Sequence, residues 1–139
     1  MRFRFAAWTG LALLVAGCGS TTAPTPPRTP AAPTTTESFI GSLGIGSSRF
    51  YSYSVAQYGT VNVTLNSVED ANGPSAVALG VGVGTPAGTG CANVSMVTAG
   101  SGPTVLLTAP YEAGIYCVRV FDVGNLTAAA TFNVSIAHP

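Results

Sequence analysis

Side chains able to perform acid–base or nucleophilic catalysis are scarce in this 139-residue sequence. Such catalysis requires a base within hydrogen-bonding reach of its partner. The only histidine, His138, stands next to Pro139 at the chain end, where fraying is common, so we interpret it as an exposed terminal residue. Lysine is absent, and neither Gly-x-Ser-x-Gly nor Ser-x-x-Lys occurs. The sequence therefore predicts no enzyme and no cofactor, and a hydrolase is the last of our hypotheses.

Carboxylate oxygens offer a second chemistry, the binding of calcium. Glu69 and Asp70 end a predicted strand, and Glu112 and Asp122 flank the strand that carries Cys117. Acidic residues at turns have a commoner explanation, because an Asp side chain hydrogen-bonds to the backbone of its own turn. A calcium-binding module stays an alternative, and no metal ligand is assigned.

Aromatic side chains offer a third chemistry, the stacking of a sugar or a peptide. The candidates are Tyr51, Tyr53, Tyr58, Tyr111 and Phe50. In a β-sandwich such residues more often belong to the core, and both interpretations stay open. Glycines at positions 80, 82 and 84 do not predict a dinucleotide-binding loop, because no helix is predicted to follow them. These small residues favour close sheet packing.

The N-terminus has the pattern of an export signal. A basic start at residues 1–4 (MRFR) precedes an apolar run at residues 5–16, which is short for a permanent membrane anchor. Residues 14–18 (LVAGC) resemble the lipobox of bacterial lipoproteins. The resemblance implies that the signal peptide, residues 1–17, is cleaved and that the Cys18 thiol carries a diacylglyceryl group. The alternative is an ordinary signal peptide with an incidental cysteine.

The implied lipid anchor sets the expected location of the protein. Two or more acyl chains hold a protein stably on a bilayer. Gly19, and not Asp, follows Cys18, and in the lipoprotein family this favours the outer membrane where the organism has two. We therefore expect a cell-envelope protein that is attached to the membrane through Cys18. Another envelope protein or a glycan is the expected further partner.

A Pro- and Thr-rich segment follows Cys18. Residues 19–38 (GSTTAPTPPRTPAAPTTTES) contain no large apolar side chain. They therefore bury too little surface to offset the entropy of ordering. Extended polyproline conformations would let this spacer reach on the order of 50 Å. We predict a linker over residues 18–38 and a folded domain over residues 39–139. A ligand for proline-binding modules is the alternative.

Two cysteines are left for the folded domain once Cys18 is lipidated, namely Cys91 and Cys117. An even pair in a small domain that folds in an oxidising compartment most simply forms a disulfide. A reactive thiol pair would need Cys-x-x-Cys spacing or a positively charged neighbourhood, and the sequence offers neither. We predict a Cys91–Cys117 disulfide.

From residue 39 onward, apolar and polar residues alternate with a period of two, which is typical of β-strands. Predicted strands cover residues 39–43, 51–55, 61–65, 77–83, 105–107, 116–120 and 132–136. Turn residues such as Asn72-Gly73-Pro74 and Gly124-Asn125 separate them. About seven short strands in roughly 100 residues predict an all-β domain, a small antiparallel β-sandwich.

Several of these strands resemble one bacterial domain family. Residues 112–120 (EAGIYCVRV) resemble the Gly-Thr-Tyr-x-Val-x-Val strand of pre-peptidase C-terminal domains, and residues 39–43, 49–55 and 59–65 fit the same pattern. The resemblance spans about residues 39–138 and implies a β-sandwich that accompanies secreted enzymes and is itself non-catalytic. Relatives of this architecture bind calcium, collagen or carbohydrate. The sequence departs from the family because it carries no enzyme domain and adds a cysteine pair.

Charge excludes one class of partner. Charged residues make up 7% of the sequence, and the part after Cys18 holds three Arg against five acidic residues, a formal charge of about −2. No basic stripe that could neutralise phosphates is present, which argues against nucleic-acid binding. The sequence as a whole predicts a non-catalytic binding or scaffolding module, with carbohydrate or calcium binding as the alternative.

Overall fold

The folded part of the chain is an all-β sandwich of two antiparallel sheets. The computed structural model describes residues 24–139. These residues form nine strands and no helix: β1 (Thr35–Leu43), β2 (Ser48–Val55), β3 (Gly59–Asp70), β4 (Gly73–Pro74), β5 (Leu79–Ala87), β6 (Gly90–Ala99), β7 (Leu107–Tyr111), β8 (Gly114–Phe121) and β9 (Ala130–His138). The predicted fold class, a small antiparallel β-sandwich, is confirmed.

The two sheets differ in how their edges are built. Sheet A has the order β1-β9-β3, and the second side of β3 pairs with β7 at one end and with β4 at the other. Sheet B has the order β2-β8-β5-β6. Every strand pairing is antiparallel. The chain changes sheets at most of its connections, and this places the inner faces of the two sheets against each other.

Alternating side chains build the core between the sheets. In β9, Phe132, Val134 and Ile136 point inward and are at most 1% exposed. Val81 of β5 and Val118 of β8 meet them from sheet B and are fully buried. Burial of one such side chain stabilises the fold by about 1.5–3 kcal/mol. The period-two pattern thus becomes a single apolar layer between two sheets.

The first strand begins at Thr35, inside the segment 18–38 that composition predicts as a linker. Residues 34–36 are all threonine, a β-branched residue that fits a pleated strand. Thr35 pairs with His138, and the backbone N–H of Thr34 donates to the His138 carbonyl at 3.0 Å. Further upstream, Ala31 forms a parallel bridge with Gly59. Contact with β9 and β3 therefore orders residues whose composition alone indicates a spacer.

Strand β6 and the two-residue β4 are absent from the predicted set of about seven strands, and the predicted strand at 105–107 lies instead at Leu107–Tyr111. The register between β5 and β6 shifts between Val83 and Gly84, which leaves Val94 as an extra residue in β6. Such a bulge interrupts the alternation on which strand prediction depends. The missed strand is important because it carries Cys91.

The strands run between two ends of the sandwich. The entry end, as we name it, carries residues 31–35, the β2–β3, β5–β6 and β7–β8 turns, and residues 138–139. The far end carries residues 44–47, 71–78, 100–106 and 122–129. A chain that arrives from the N-terminal segment therefore joins the sandwich at the entry end.

Candidate functional site

The single histidine lies in the packed interior at the entry end. His138 is 5% exposed, its Nε2 atom lies 2.9 Å from a carboxylate oxygen of Glu37, and its Nδ1 atom lies 3.3 Å from the Pro139 carbonyl oxygen. Its ring packs 5.6 Å from the Tyr53 ring. The prediction of an exposed terminal histidine is wrong, because β1 extends to Thr35 and pairs with the last residues of β9.

Three tyrosines pack around one another beside this histidine. The Tyr111 and Tyr116 rings meet edge to face at 4.9 Å, and Tyr53 lies 6.2 Å from Tyr116. The Tyr116 hydroxyl donates to the Glu112 carbonyl at 3.1 Å, whereas the Tyr53 hydroxyl is buried and has no hydrogen-bond partner in the described residues. Burial raises the pKa of Tyr53 and of Tyr111. The cluster is part of the packing at the entry end.

The predicted aromatic binding set is divided among three places. Tyr51 stacks on Phe39 at 4.8 Å, and with Tyr53 and Tyr111 it belongs to the core or its border. Tyr58 lies under the Arg28 guanidinium at 4.5 Å. Phe50 alternates with Tyr51 and so projects from the opposite side of β2. The core interpretation therefore applies to Tyr51, Tyr53 and Tyr111, and no single face gathers all five residues.

Asp122 is a backbone acceptor that joins two loops at the far end. Its Oδ1 atom accepts from the N–H groups of Gly124, Asn125 and Leu126 at 2.9, 2.9 and 3.1 Å, and its Oδ2 atom accepts from that of Gly46 at 2.8 Å. These hydrogen bonds, led by the one from Gly46, lower the pKa of Asp122. Both oxygens thus face N–H donors, whose positive ends repel a cation, so the turn explanation applies here.

The other acidic residues lie apart from one another. Glu112 forms an exposed ion pair with Arg28 at 2.9 Å, and Asp70 accepts from the Asn72 N–H at 2.7 Å. Glu69 is exposed at the end of β3. Among residues 24–139, no three His, Cys, Asp or Glu residues come close enough to hold a metal ion together. The calcium alternative gains no support from the described acidic residues.

A disulfide joins Cys91 of β6 to Cys117 of β8, as predicted. Strand β5 lies between these two strands, yet the two Cα atoms are only 5.9 Å apart, less than the roughly 9.5 Å expected for two strand spacings. The first half of β6 therefore bends across β5 at the bulge. The disulfide staples this bend to the outer side of sheet B.

The glycines of β5 make room for that bend. A Cβ atom at Gly84 would overlap the carbonyl of Ala92, and one at Gly82 would lie 2.7 Å from the Asn93 side chain. A Cβ at Gly80 would overlap the ring of Phe121. The glycines do permit close packing, but the groups that approach them are β6 and Phe121 on the outer side of the sheet.

The outer face of sheet B displays apolar side chains. This face, which we call the sheet B outer face, has as its large side chains Phe50, Met96, Ile115, Arg119 and Phe121, with the exposed Ser48, Ser52, Ser54 and Thr98 between them. Ile115 is 65% exposed, Met96 60% and Phe50 38%. The Arg119 guanidinium lies 5.0 Å from the centre of the Phe121 ring. Apolar and aromatic groups around an arginine are the composition typical of protein–protein interfaces.

The sequence contains a signal for this face, but the alternation of apolar and polar residues in β8 does not show it. In β8, Tyr116, Val118 and Val120 form one row, and Ile115, Cys117, Arg119 and Phe121 form the other. Because both rows are largely apolar, the pattern alone does not say which row enters the core. The charge of Arg119 is the signal that marks its row as the outer one, and Val118 and Val120 of the first row are indeed fully buried.

The predicted lipidation site, Cys18, and the predicted signal peptide, residues 1–17, lie outside the described residues. Residues 24–139 contain no helix long and apolar enough to cross a membrane. Comparisons with protein-family models, curated proteins and solved structures find no match to this chain.

Proposed function

We propose that this chain is a lipoprotein, anchored through Cys18 to the extracytoplasmic side of an envelope membrane, whose β-sandwich binds or scaffolds another envelope component without catalysing a reaction. In an organism with two membranes the anchor would lie in the outer one. The observation that carries the binding role is the sheet B outer face, where Ile115 and Met96 are more than half exposed.

Three features support the anchored, extracytoplasmic part of the proposal. Residues 14–18 match the pattern of a lipobox, which is the reason to place the acyl chains on Cys18. A disulfide between Cys91 and Cys117 suits an oxidising compartment. The Pro- and Thr-rich residues after Cys18 lead to the entry end, where β1 starts at Thr35. A tether at that end leaves the sheet B outer face accessible.

The resemblance to pre-peptidase C-terminal domains fits the same role. Such domains are non-catalytic β-sandwiches, and two antiparallel sheets of this size are the architecture that the resemblance requires. In this chain the described domain would stand on a lipid anchor. The proposed family membership rests on residues 112–120 and on the three earlier strand motifs.

The sheet B outer face has the chemistry of a protein-binding patch. Arg119 pairs directly with Phe50 in the β2–β8 register, and Ile115 lies further along the same face, opposite Ser54. Burial of exposed apolar surface stabilises a complex by roughly 25 cal/mol per Å² before the costs of association. Arg119 adds donors that orient a partner carbonyl or carboxylate.

A carbohydrate is the second candidate ligand. Phe50 offers a partly exposed aromatic ring, and Arg119 offers hydrogen-bond donors beside it. Calorimetry with cell-envelope glycans tests this candidate, and we expect binding heat that is lost in the variant Phe50→Ala. Glycans that produce neither heat nor a thermal shift with the unmodified protein would remove the candidate.

Two measurements test the proposed function separately. Mass spectrometry of the mature protein isolated from membranes should find acyl chains on an N-terminal Cys18, and Cys18→Ala should abolish membrane retention. An unmodified N-terminus would overturn the anchor. Crosslinking in intact envelopes should capture a reproducible partner whose yield falls at least tenfold in Ile115→Asp. The matched control is Ile40→Asp on the outer face of sheet A, since Ile40 is 73% exposed. Equal yields from both variants would overturn the assignment of the binding face.

A further inference from the structure

The edge strands of the two sheets are protected unequally. An edge strand exposes backbone N–H and C=O groups that can pair with another strand, and proteins block such edges with charges, prolines, bulges or covering groups. Within residues 24–139, the edges are formed by β1, β2, β4, β6 and β7, with part of β3 between β7 and β4. One of these edges lacks the protection that the others have.

The edges of β1 and β2 are joined at one side of the sandwich. The Tyr51 hydroxyl donates to the Ile40 carbonyl at 3.2 Å, and the Arg49 Nε–H donates to the Ser42 carbonyl at 3.2 Å. Side chains of β2 thereby occupy carbonyl groups along β1. Arg49 also places a charge on β2 itself, which is a second device against strand addition.

The other edge of sheet A is short and interrupted. Strand β7 has five residues and contains Pro110, and β4 has two residues and contains Pro74. Proline has no N–H to donate to an added strand. Between these strands, the Gly102 and Leu106 N–H groups donate to carbonyls of β3 at 2.9 and 2.8 Å. No long run of unpaired backbone is left on this side of sheet A in the described residues.

Strand β6 has none of these devices along its second half. Residues 95–99 (SMVTA) contain no charge and no proline. They pair in regular register with residues 79–83 of β5, because the bulge lies before them at Val94. In the described part of the chain, no side chain or loop hydrogen-bonds to β6 from its second side. This segment is a regular, uncharged strand edge of five residues.

We propose that residues 95–99 of β6 pair antiparallel with the same residues of a second copy of this chain. The two four-stranded B sheets would then form one continuous sheet across a twofold axis. A second copy fits because an uncharged strand meets no like charges when it pairs with itself. With the axis at Val97, Met96 of one copy would pair with Thr98 of its partner.

The side chains of β6 complete both faces of such a joint. Val97 is half-buried and packs on the core, so two Val97 side chains at the axis would extend the apolar layer between the sheets. Met96 is 60% exposed and would extend the sheet B outer face across the axis. The proposal rests on the proposed function only for the high local concentration that a shared membrane supplies.

The test uses the full-length protein purified in detergent micelles at increasing protein-to-detergent ratios. Sedimentation velocity should show a monomer–dimer equilibrium. Hydrogen exchange should slow at least tenfold on dimer formation at those amides of residues 95–99 that point away from β5. The double variant Met96→Lys with Thr98→Lys places four charges around the axis and should reduce the dimer fraction at least tenfold.

The matched control is Ile40→Lys with Ser38→Lys on β1. Both residues are exposed on an edge whose carbonyls at Ile40 and Ser42 are already occupied. We expect this control to dimerise like the unmodified protein. A protein that stays monomeric at every ratio, a dimer that leaves residues 95–99 unprotected, or equal losses in both variants would overturn the proposal. Because the same samples are weighed for acyl chains, failure of the lipid anchor is recorded separately from failure of strand pairing.

Discussion

The Asp122 carboxylate accepts a hydrogen bond of 2.8 Å from the backbone N–H of Gly46, which lies 76 positions earlier in the chain. This bond connects the β8–β9 loop to the β1–β2 turn, and Gly46 takes the left-handed backbone conformation (φ 68°) that its turn requires. The Asp122 backbone N–H also donates to the Ser47 carbonyl at 3.0 Å. The far end of the sandwich is therefore held by one aspartate that serves two loops.

Replacement of this aspartate should loosen the far end. In Asp122→Asn, one side-chain position becomes an NH₂ group, so the Gly46 N–H or the three donors of the β8–β9 loop lose their acceptor. We expect a lower Tm and faster hydrogen exchange at Gly46, measured by calorimetry and by mass spectrometry. The control is Asp70→Asn, because Asp70 accepts a single backbone N–H from Asn72. A control that loses as much Tm as Asp122→Asn would contradict the assignment.

The contribution of Asp122 should disappear in acid. Its pKa in the folded protein is lowered from an ordinary value of 3.8 by N–H donors, chiefly that of Gly46. A lowered pKa means that the stabilisation is complete above the unfolded value and is lost as pH falls through the folded value. The Tm difference between the unmodified protein and Asp122→Asn should therefore be constant from pH 7 to about 5 and shrink below about pH 4. A difference that is unchanged at pH 2 would contradict this account.

Loss of the disulfide should cost a large part of the stability of the domain. Cys91 and Cys117 are 26 positions apart, and closing a loop of that length in the unfolded chain corresponds to about 3.5 kcal/mol in the chain-entropy model. The double variant Cys91→Ala with Cys117→Ala should lose about that free energy of unfolding in urea titrations. Reductant should destabilise the unmodified protein and leave the double variant unchanged. A response of both proteins to reductant would exclude this disulfide as the cause.

Local alternation predicts the sandwich well, because most strands have one apolar and one polar row. Phe132, Val134 and Ile136 occupy the core positions that their spacing indicates. The pattern does not locate β6, because the bulge at Val94 shifts the alternation in the middle of the strand. It also does not locate the start of β1, because Thr35 is ordered by its pairing with His138 more than 100 positions away.

The functional residues divide along the same line. The even number of cysteines left after Cys18 and the expected oxidising compartment suffice to predict the Cys91–Cys117 pair. The hydrogen-bonding habit of Asp in turns suffices to explain Asp122. The burial of His138 depends on the first residues of β1, 35–38, which the sequence assigns to the linker, so its environment is not predictable from local pattern. The sheet B outer face is only partly predictable, because both rows of β8 are largely apolar and Arg119 alone marks the row of Ile115 as the outer one.

Two tyrosine variants should differ in stability because one hydroxyl has a hydrogen-bond partner and the other has none among the described residues. The Tyr116 hydroxyl donates to the Glu112 carbonyl, and Tyr116→Phe should lose about 0.5–1.5 kcal/mol of unfolding free energy. The Tyr53 hydroxyl is buried and has no partner among residues 24–139, so Tyr53→Phe should be neutral or more stable by up to about 1 kcal/mol. Urea titrations of both variants measure the difference. A larger loss in Tyr53→Phe than in Tyr116→Phe would show that the Tyr53 hydroxyl has a partner.

The same Tyr53 variant should resist alkali. Burial raises the pKa of Tyr53 above its ordinary value of 10.0, so its contribution to stability is complete below that value and falls as pH rises above it. Above pH 10, ionisation of this tyrosine lowers the free energy of the unfolded state of the unmodified protein, and Tyr53→Phe lacks this effect. We expect a higher alkaline midpoint of unfolding for Tyr53→Phe, measured by circular dichroism between pH 9 and 12. Equal alkaline midpoints would contradict the raised pKa.

The hydrogen bond between His138 and Glu37 should hold β1 on sheet A. Glu37→Ala leaves a buried ring nitrogen without its partner, and we expect a loss of about 1–3 kcal/mol in urea titrations. Glu37→Gln keeps a hydrogen-bonding atom in place and should lose less. Glu69→Ala serves as control, since Glu69 is exposed and its removal should change stability by less than about 0.5 kcal/mol. Equal effects of Glu37→Ala and Glu69→Ala would show that the His138 contact contributes nothing.

Gly84 should be the least replaceable glycine of β5, because β6 crosses it at the point where the disulfide is fastened. A Cβ atom there would overlap the Ala92 carbonyl, which is backbone and has no alternative rotamer. Gly84→Ala should therefore cost about 1–3 kcal/mol or more, as overpacking does in cores, and it should also hinder closure of the Cys91–Cys117 bond. Free-thiol titration of the purified variant measures the second effect independently of stability.

The matched substitution is Gly102→Ala. A Cβ atom at Gly102 would have nothing within 4 Å, so this variant should stay within about 0.5 kcal/mol of the unmodified protein and keep its thiols oxidised. If the disulfide alone held β6 over β5, Gly84→Ala would unfold more easily but oxidise fully. If the bend depends on the absence of a side chain at Gly84, the variant Gly84→Ala should show both free thiols and lost stability. The variant Gly102→Ala should show neither. The second outcome is the one that we expect, because a Cβ atom at Gly84 would occupy the space that the Ala92 carbonyl of β6 takes next to the disulfide.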